Sequence, residues 1–241
     1  MKTNIIVSKD IIELTDNFLK IIEKTLLEVK NRKITMALSG GSTPKRIFEC
    51  ILEKNSDSID WNRILYFWGD ERCVPPEDEQ SNFRMANESF LKPLNISHDN
   101  IFRMRGESDP IIETERYQQL LKDKITIKES EIPVFDIMLI GLGEDGHTAS
   151  IFPDQIELFN SDNFCETAFH PETKQRRITI TGKVINHSSK IIFIVTGKSK
   201  ANVVKEILTG SENRNLYPAS FVNAENGKLF WLLDKDSASL L

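Results

Sequence analysis

The stretch 135–153, FDIMLIGLGEDGHTASIFP, constrains the fold most, because an apolar run stops there at a glycine-rich turn that hands over to Asp145, His147 and Thr148. Residues 134–140 are apolar at every position but Asp136. A half-wet strand would alternate. This run reads instead as a central parallel strand buried on both faces, and in such sheets ligands collect beyond the carboxyl ends of the strands. Gly141, Gly143 and Gly146 suit a tight turn that lets a ligand approach the backbone closely. A turn with no chemical task has no need of the imidazole that follows. GLGEDG also fits the dinucleotide pattern GxGxxG, but His-Thr-Ala-Ser follows its last glycine where an apolar helix should begin. No acidic strand end lies about 20 residues further on, so the dinucleotide reading is disfavoured.

With 241 residues, 39% of them hydrophobic, the chain can bury a full core, and one α/β domain spanning 1–241 is the expected organisation. Charged residues make up 28% and the net charge is -5, so no basic excess exists to neutralise a nucleic-acid backbone. Cys50, Cys73 and Cys165 are scattered, odd in number and without CxxC spacing. They suit free thiols in a reducing compartment, and neither a disulfide framework nor a zinc site is expected. The N-terminal MKTNIIVSKD holds an apolar run of three residues only, too short for a signal peptide or a membrane span, so a cytoplasmic protein with no membrane partner is expected.

In chain order, a short strand over 4–7 precedes a helix over 9–30 with apolar residues at helical spacing. A second strand, Ile34–Leu38, runs into Ser39-Gly40-Gly41-Ser42-Thr43, with Pro44 placed as the first residue of an amphipathic helix to about Lys54. Strand, glycine loop and helix start make an anion site, because free N–H groups and the helix dipole favour a phosphate. A plain helix cap by Ser42 or Thr43 explains the last three of these residues but not two glycines and three hydroxyls. GxxxxGK[ST] is absent, so this is no Walker loop. A third buried strand, 63–68, ends at Gly69-Asp70-Glu71-Arg72, and an acidic surface loop over 74–79 leads to a helix from Ser81 to about Leu91. Asp109-Pro110 opens a further helix ending near Lys128. Residues 160–174 are polar and poorly periodic, the composition of a mobile lid over the site, and the sequence does not say whether 154–175 closes over substrate. Arg176 and Arg177 lead into a strand over 178–181 with one face exposed; strands over 191–196 and 229–233 follow. The first of these passes through Gly197-Lys198-Ser199-Lys200 into a helix over 201–208.

With these blocks in place the chain resembles the 6-phosphogluconolactonase family, from 38 to 234. The matching blocks are SGGSTP at 39–44, WGDER at 68–72, SNFRMA at 81–86, GLGEDGHTASIFP at 141–153, RRITIT at 176–181 and GKSK at 197–200. The related glucosamine-6-phosphate deaminases and isomerases typically carry Asn-Glu-Pro after their His and a Tyr where Arg72 stands; this chain has Ile151-Phe152-Pro153 and Arg72, as lactonases do. The resemblance implies a three-layer α/β/α sandwich with a mostly parallel, modified Rossmann-like sheet and no metal or cofactor. It implies hydrolysis of 6-phospho-D-glucono-1,5-lactone in the oxidative pentose phosphate pathway by a monomer or small homo-oligomer. The competing readings are an amino-sugar phosphate deaminase or isomerase and a non-catalytic phosphosugar sensor; a sensor has no use for Asp145, His147 and Arg72 together.

Hydrolysis of a lactone needs a water nucleophile, a base and positive charge where the oxyanion forms. His147 is the expected base, Asp145 its orienting partner, and Arg72 the group that positions the lactone or stabilises developing charge. Asp70 is expected to hold Arg72 rather than attack. The substrate phosphate is expected on Gly40, Gly41, Ser42 and Thr43, helped by Arg177 and Lys200, with Arg176 ranked below Arg177. Ser150 lies in no G-x-S-x-G elbow and Cys73 has no His nearby in sequence, so a covalent route is disfavoured. His98, His170 and His187 read as surface residues, and Trp61, Trp68 and Trp231 as core.

Overall fold

The computed structural model describes residues 3–54, 58–125 and 131–241. Six parallel strands form the main sheet: β1 (Thr3–Ser8), β2 (Ile34–Leu38), β3 (Ile64–Trp68), β5 (Ile137–Ile140), β8 (Lys190–Val195) and β9 (Lys228–Asp234). Their order is β1-β9-β8-β5-β2-β3. Three short strands, β4 (Asp70–Arg72), β6 (Cys165–Phe169) and β7 (Arg176–Ile180), form a separate antiparallel sheet in the order β4-β7-β6.

The helices are α1 (Ile11–Glu28), α2 (Ser42–Glu53), α3 (Asn82–Ala86), α4 (Pro110–Lys124), α5 (Gly182–His187) and α6 (Ala201–Leu208). Connections β1-α1-β2 and β2-α2-β3 step one way along the sheet, and those through α4, α5 and α6 step the other. Right-handed crossovers therefore place the two groups on opposite faces, which gives the expected three layers. Packing of α1 against α2 agrees with their sharing a face. The direction reverses between β2 and β5, the topological switch point, where a crevice opens beyond the strand ends.

Every residue of β2, β5 and β8 is buried, so these strands lie between the layers as their unbroken apolar runs require. Trp61, Trp68 and Trp231 are buried as expected. No helix among the described residues is long and apolar enough to cross a membrane.

Several local expectations change. Ser81 is the cap of α3, accepting the Arg84 N–H at 3.1 Å, and the expected helix to Leu91 continues from α3 as a wider π turn over Asn87–Leu91. Helix α4 ends at Lys124, and the expected end near Lys128 lies outside the described residues. Strand β7 has no open face beyond Arg177, because Ile178, Thr179 and Ile180 are all buried between the small sheet and the body of the protein. The segment read as a lid follows a 3-10 stretch, Pro153–Asn160, and contains strand β6, which is hydrogen-bonded along its length to β7. Polar side chains on a strand of a small sheet masked its periodicity.

Asp136, the one polar residue in the central run, staples β2 to β5. It is 5% exposed and accepts from the Arg32 guanidinium at 2.6 and 2.7 Å, from the Thr35 N–H at 2.8 Å and from the Thr35 hydroxyl at 3.2 Å. Asp136→Ala strips the Thr35 N–H and the half-exposed Arg32 of their acceptor and should destabilise the fold by roughly 2 kcal/mol. Urea unfolding measures this; an unchanged midpoint would show that the staple contributes nothing.

Candidate active site

Leu38 and Ile140 end the two strands that flank the switch point, and the loops leaving them face each other across a cleft of about 280 Å³. The loop after β2 supplies Gly40 to Thr43. Helix α2 starts from Gly41, whose φ of 102° is glycine's territory, and no side chain caps the helix. The plain-cap alternative therefore fails: Ser42 and Thr43 do not cap, and Thr43 instead shares a 2.8 Å hydrogen bond with Thr196 at the end of β8. The helix start is left with unpaired donors and a positive dipole end toward the cleft.

The loop after β5 supplies the dyad. The Asp145 carboxylate accepts from His147 twice, from its backbone N–H at 3.1 Å and from ring Nδ1 at 2.6 Å. An ionised carboxylate can only accept, so Nδ1 is the donor and Nε2 is the ring nitrogen not engaged by Asp145. Burial alone would raise the Asp145 carboxyl; the hydrogen bonds and charge of His147 outweigh it and hold Asp145 below its ordinary value. The turn is braced beneath. Thr148 donates to the Gly141 carbonyl at 2.9 Å, the Ala219 N–H donates to the Gly146 carbonyl at 2.9 Å, and the Tyr217 ring packs on Gly146. Gly143 has no room for a side chain, since a Cβ there would lie 2.1 Å from His147 Nδ1 and 2.4 Å from Asp145 Oδ1.

The small sheet supplies the third wall. Arg72 and Arg177 are cross-strand partners on β4 and β7, and the Nε of each is buried without a hydrogen-bond partner among the described residues. Burial first, then the Arg72 charge, lowers Arg177 from its ordinary value against the pull of Asp70 and Glu71. Lys200, at the start of α6, is likewise lowered by burial, opposed by Glu144 and Asp145. Desolvated cations of this kind are stabilised by an incoming anion. Arg176 is exposed, in keeping with its lower rank.

All the expected phosphate-binding residues and His147 line one cleft, together with Arg72 and Asp70; Asp145 is not in the wall but is hydrogen-bonded to His147 behind it. Two expectations are corrected, those for Asp70 and His170. Asp70 does not hold Arg72: it accepts from the Ser150 hydroxyl at 2.7 Å and is joined to Asn82, whose amide donates to its backbone carbonyl at 3.0 Å. Arg72 lies opposite Arg177 across the β4-β7 ladder, and its guanidinium donates to the Gln80 backbone carbonyl. His170 is no surface residue but lines the cleft, its ring 5.3 Å from that of Phe152. His187 is half-buried and pairs with Glu225 at 3.2 Å, while His98 is exposed as expected.

Sequence reasoning also missed Glu71 and Asn82. Glu71 is 2% exposed, and its carboxyl is pushed up by burial against three backbone N–H donors, from Asn82, Phe83 and Arg72. It thereby ties β4 to the start of α3 and turns Asn82 under Gly40, where a Cβ would overlap the Asn82 amide. The block SNFRMA after WGDER was the available signal. Among the described residues no three His, Cys, Asp or Glu side chains cluster to hold a metal ion, and Cys50, Cys73 and Cys165 are free thiols.

An uncapped helix start, flanking cations and a carboxylate-held imidazole thus meet in one crevice at the switch point of an α/β fold. The family model described as glucosamine-6-phosphate isomerases/6-phosphogluconolactonase matches residues 9–231, and the chain belongs to that family. It is 44% identical over 172 residues to the 6-phosphogluconolactonase of Treponema pallidum, covering 71% of each chain. With that of Haemophilus influenzae it shares 39% identity over 214 residues, 88% of this chain and 89% of the relative. The solved 6-phosphogluconolactonase of Trypanosoma brucei superposes with a TM-score of 0.88 at 30% identity, covering 100% of this chain and 99% of the other.

Gly143→Ala should push the His147 ring off Asp145 while leaving the fold intact. The far-downfield Nδ1 proton resonance of a short imidazole–carboxylate hydrogen bond should then vanish with far-UV circular dichroism unchanged. Its persistence would mean that the turn absorbs a methyl group.

Proposed function

We propose that the chain hydrolyses 6-phospho-D-glucono-1,5-lactone to 6-phosphogluconate, the lactone-opening step of the oxidative pentose phosphate pathway, with His147 as general base. The observation that carries the mechanism is the free Nε2 edge of His147, fixed by Asp145, opening into the same cleft as the anion loop. The substrate's identity is supported by the names of the relatives.

In this reading the phosphate sits on the backbone N–H groups of Gly40 to Thr43, between Lys200 and Arg177. Arg72, the neighbour of Arg177 in the same cleft, positions the lactone or stabilises developing negative charge. Holding a remote phosphate fixes the reacting carbon and supplies several kcal/mol of positioning. A water between Nε2 and C1 gives its proton to Nε2 as its oxygen bonds to C1 and the carbonyl pair moves onto oxygen. Asp145 stabilises the imidazolium. The tetrahedral intermediate then collapses, the bond from C1 to the ring oxygen breaks, and that oxygen takes the proton back from Nε2. One water is consumed, and the new acid ionises.

Ser150 is a poor nucleophile here because its hydroxyl donates to Asp70 and it is 1% exposed. The deaminase alternative is not favoured. Phe152 stands at the position read as the deaminase Glu, and its ring lies 4.8 Å from that of His147 with no acid or base to offer.

His147→Gln should lower kcat by roughly 10² or more, with KM little changed, in a proton-release assay corrected for spontaneous lactone hydrolysis. Near-normal turnover would remove His147 from the mechanism, and ammonia release from glucosamine 6-phosphate would replace the reaction itself. Lys200→Ala should raise KM several-fold with a smaller fall in kcat; the reverse pattern would move Lys200 to the reacting carbon.

A further inference from the structure

We infer that His170 is a substrate-recognition residue whose Nε2–H donates to the hydroxyl on C2 of the lactone, beside the reacting carbonyl. The inference rests on the lactonase reading and extends it to the sugar ring. His170 follows β6 in the turn to β7, a segment the sequence marks only as polar. Its position is built. Ring Nδ1 accepts the backbone N–H groups of Glu172 and Thr173, both at 3.3 Å, so Nδ1 is unprotonated and the ring's own donor is Nε2. Phe152 stands between the two imidazoles, 4.8 Å from His147 and 5.3 Å from His170, and both line the cleft.

The turn that carries His170 is clamped on two sides. The Gln155 side chain exchanges hydrogen bonds with the backbone of Phe169, at 2.7 and 2.9 Å. On the other side the Gln175 amide donates to the Gln80 side-chain Oε1 at 2.6 Å, and the Gln80 backbone carbonyl accepts from Arg72. Such a clamp holds a donor at fixed distance from the base, which a solvent-facing histidine does not need. With C1 at His147 and the phosphate at the loop after β2, the hydroxyl on C2, nearest the reacting carbon of the three on C2, C3 and C4, is the one that falls to a donor one aromatic ring away from His147.

The test compares 6-phosphogluconolactone with its 2-deoxy analogue in the wild-type protein and in His170→Phe, which keeps a ring against Phe152 and removes the donor. One neutral hydrogen bond predicts that the wild type prefers the natural lactone by about 3- to 10-fold in kcat/KM through this contact, and that the preference falls toward unity in the variant. A merely structural role would slow both substrates alike. An unchanged ratio in His170→Phe overturns the inference while leaving the lactonase reading standing. A wild type that opens neither lactone defeats the lactonase reading first.

Discussion

Parallel pairing of β2 with β5 is the constraint on which the site depends. Met36 lies opposite Ile137 and Ala37 opposite Met138, so the two strands leave the sheet side by side at the point where the chain reverses direction along it. No other neighbouring pair has connections running away in opposite directions at its carboxyl end, and only there can loops part to leave a crevice. Asp136 fixes that register through Thr35 and Arg32 from the amino end of the pair, opposite the site. Anion loop and imidazole thus face each other because of a carboxylate at the far end of the same two strands.

The small sheet adds the second constraint. Gly69 links the two sheets: its N–H donates to the Leu38 carbonyl at 2.9 Å and its carbonyl accepts the Ile180 N–H at 2.8 Å. Strand β4 therefore leaves the end of β3 already paired with β7, and its antiparallel register sets Arg72 against Arg177. Two like charges on adjacent strands repel and destabilise the empty sheet locally. In the proposed reading a bound phosphate relieves that penalty, so part of the cost of assembling the pocket returns as affinity for the ligand.

The strands and their order of appearance were legible in the sequence because buried parallel strands leave unbroken apolar runs, as at Ile34–Leu38 and Ile137–Ile140. The dyad was legible because Asp145 and His147 are two residues apart in one turn. What was not legible depends on pairing between distant segments. That Asp70 serves Ser150 follows from a contact across 80 positions. The partnership of Arg72 with Arg177 needs the β4-β7 register, and the entry of His170 into the cleft needs β6 to be a strand, which its polar residues hide. Local spacing carries no trace of these.

Phe152 shows how a relative with different chemistry arises on the same frame. Its side chain is 2% exposed and packs its ring against His147 on one hand and His170 on the other. In the proposed mechanism an apolar wall there excludes water from one side of His147 and leaves Nε2 to act on a water held against the substrate carbonyl. A carboxylate in the same place would compete with Asp145 for the imidazole and offer a second titrating group beside the substrate, as ring opening of an amino sugar requires. Hydrolysis of an already activated ester needs one base only. Filling that position with an aromatic ring therefore narrows the cleft to a single proton-transfer partner, and the frame that could serve either reaction is committed to the simpler one.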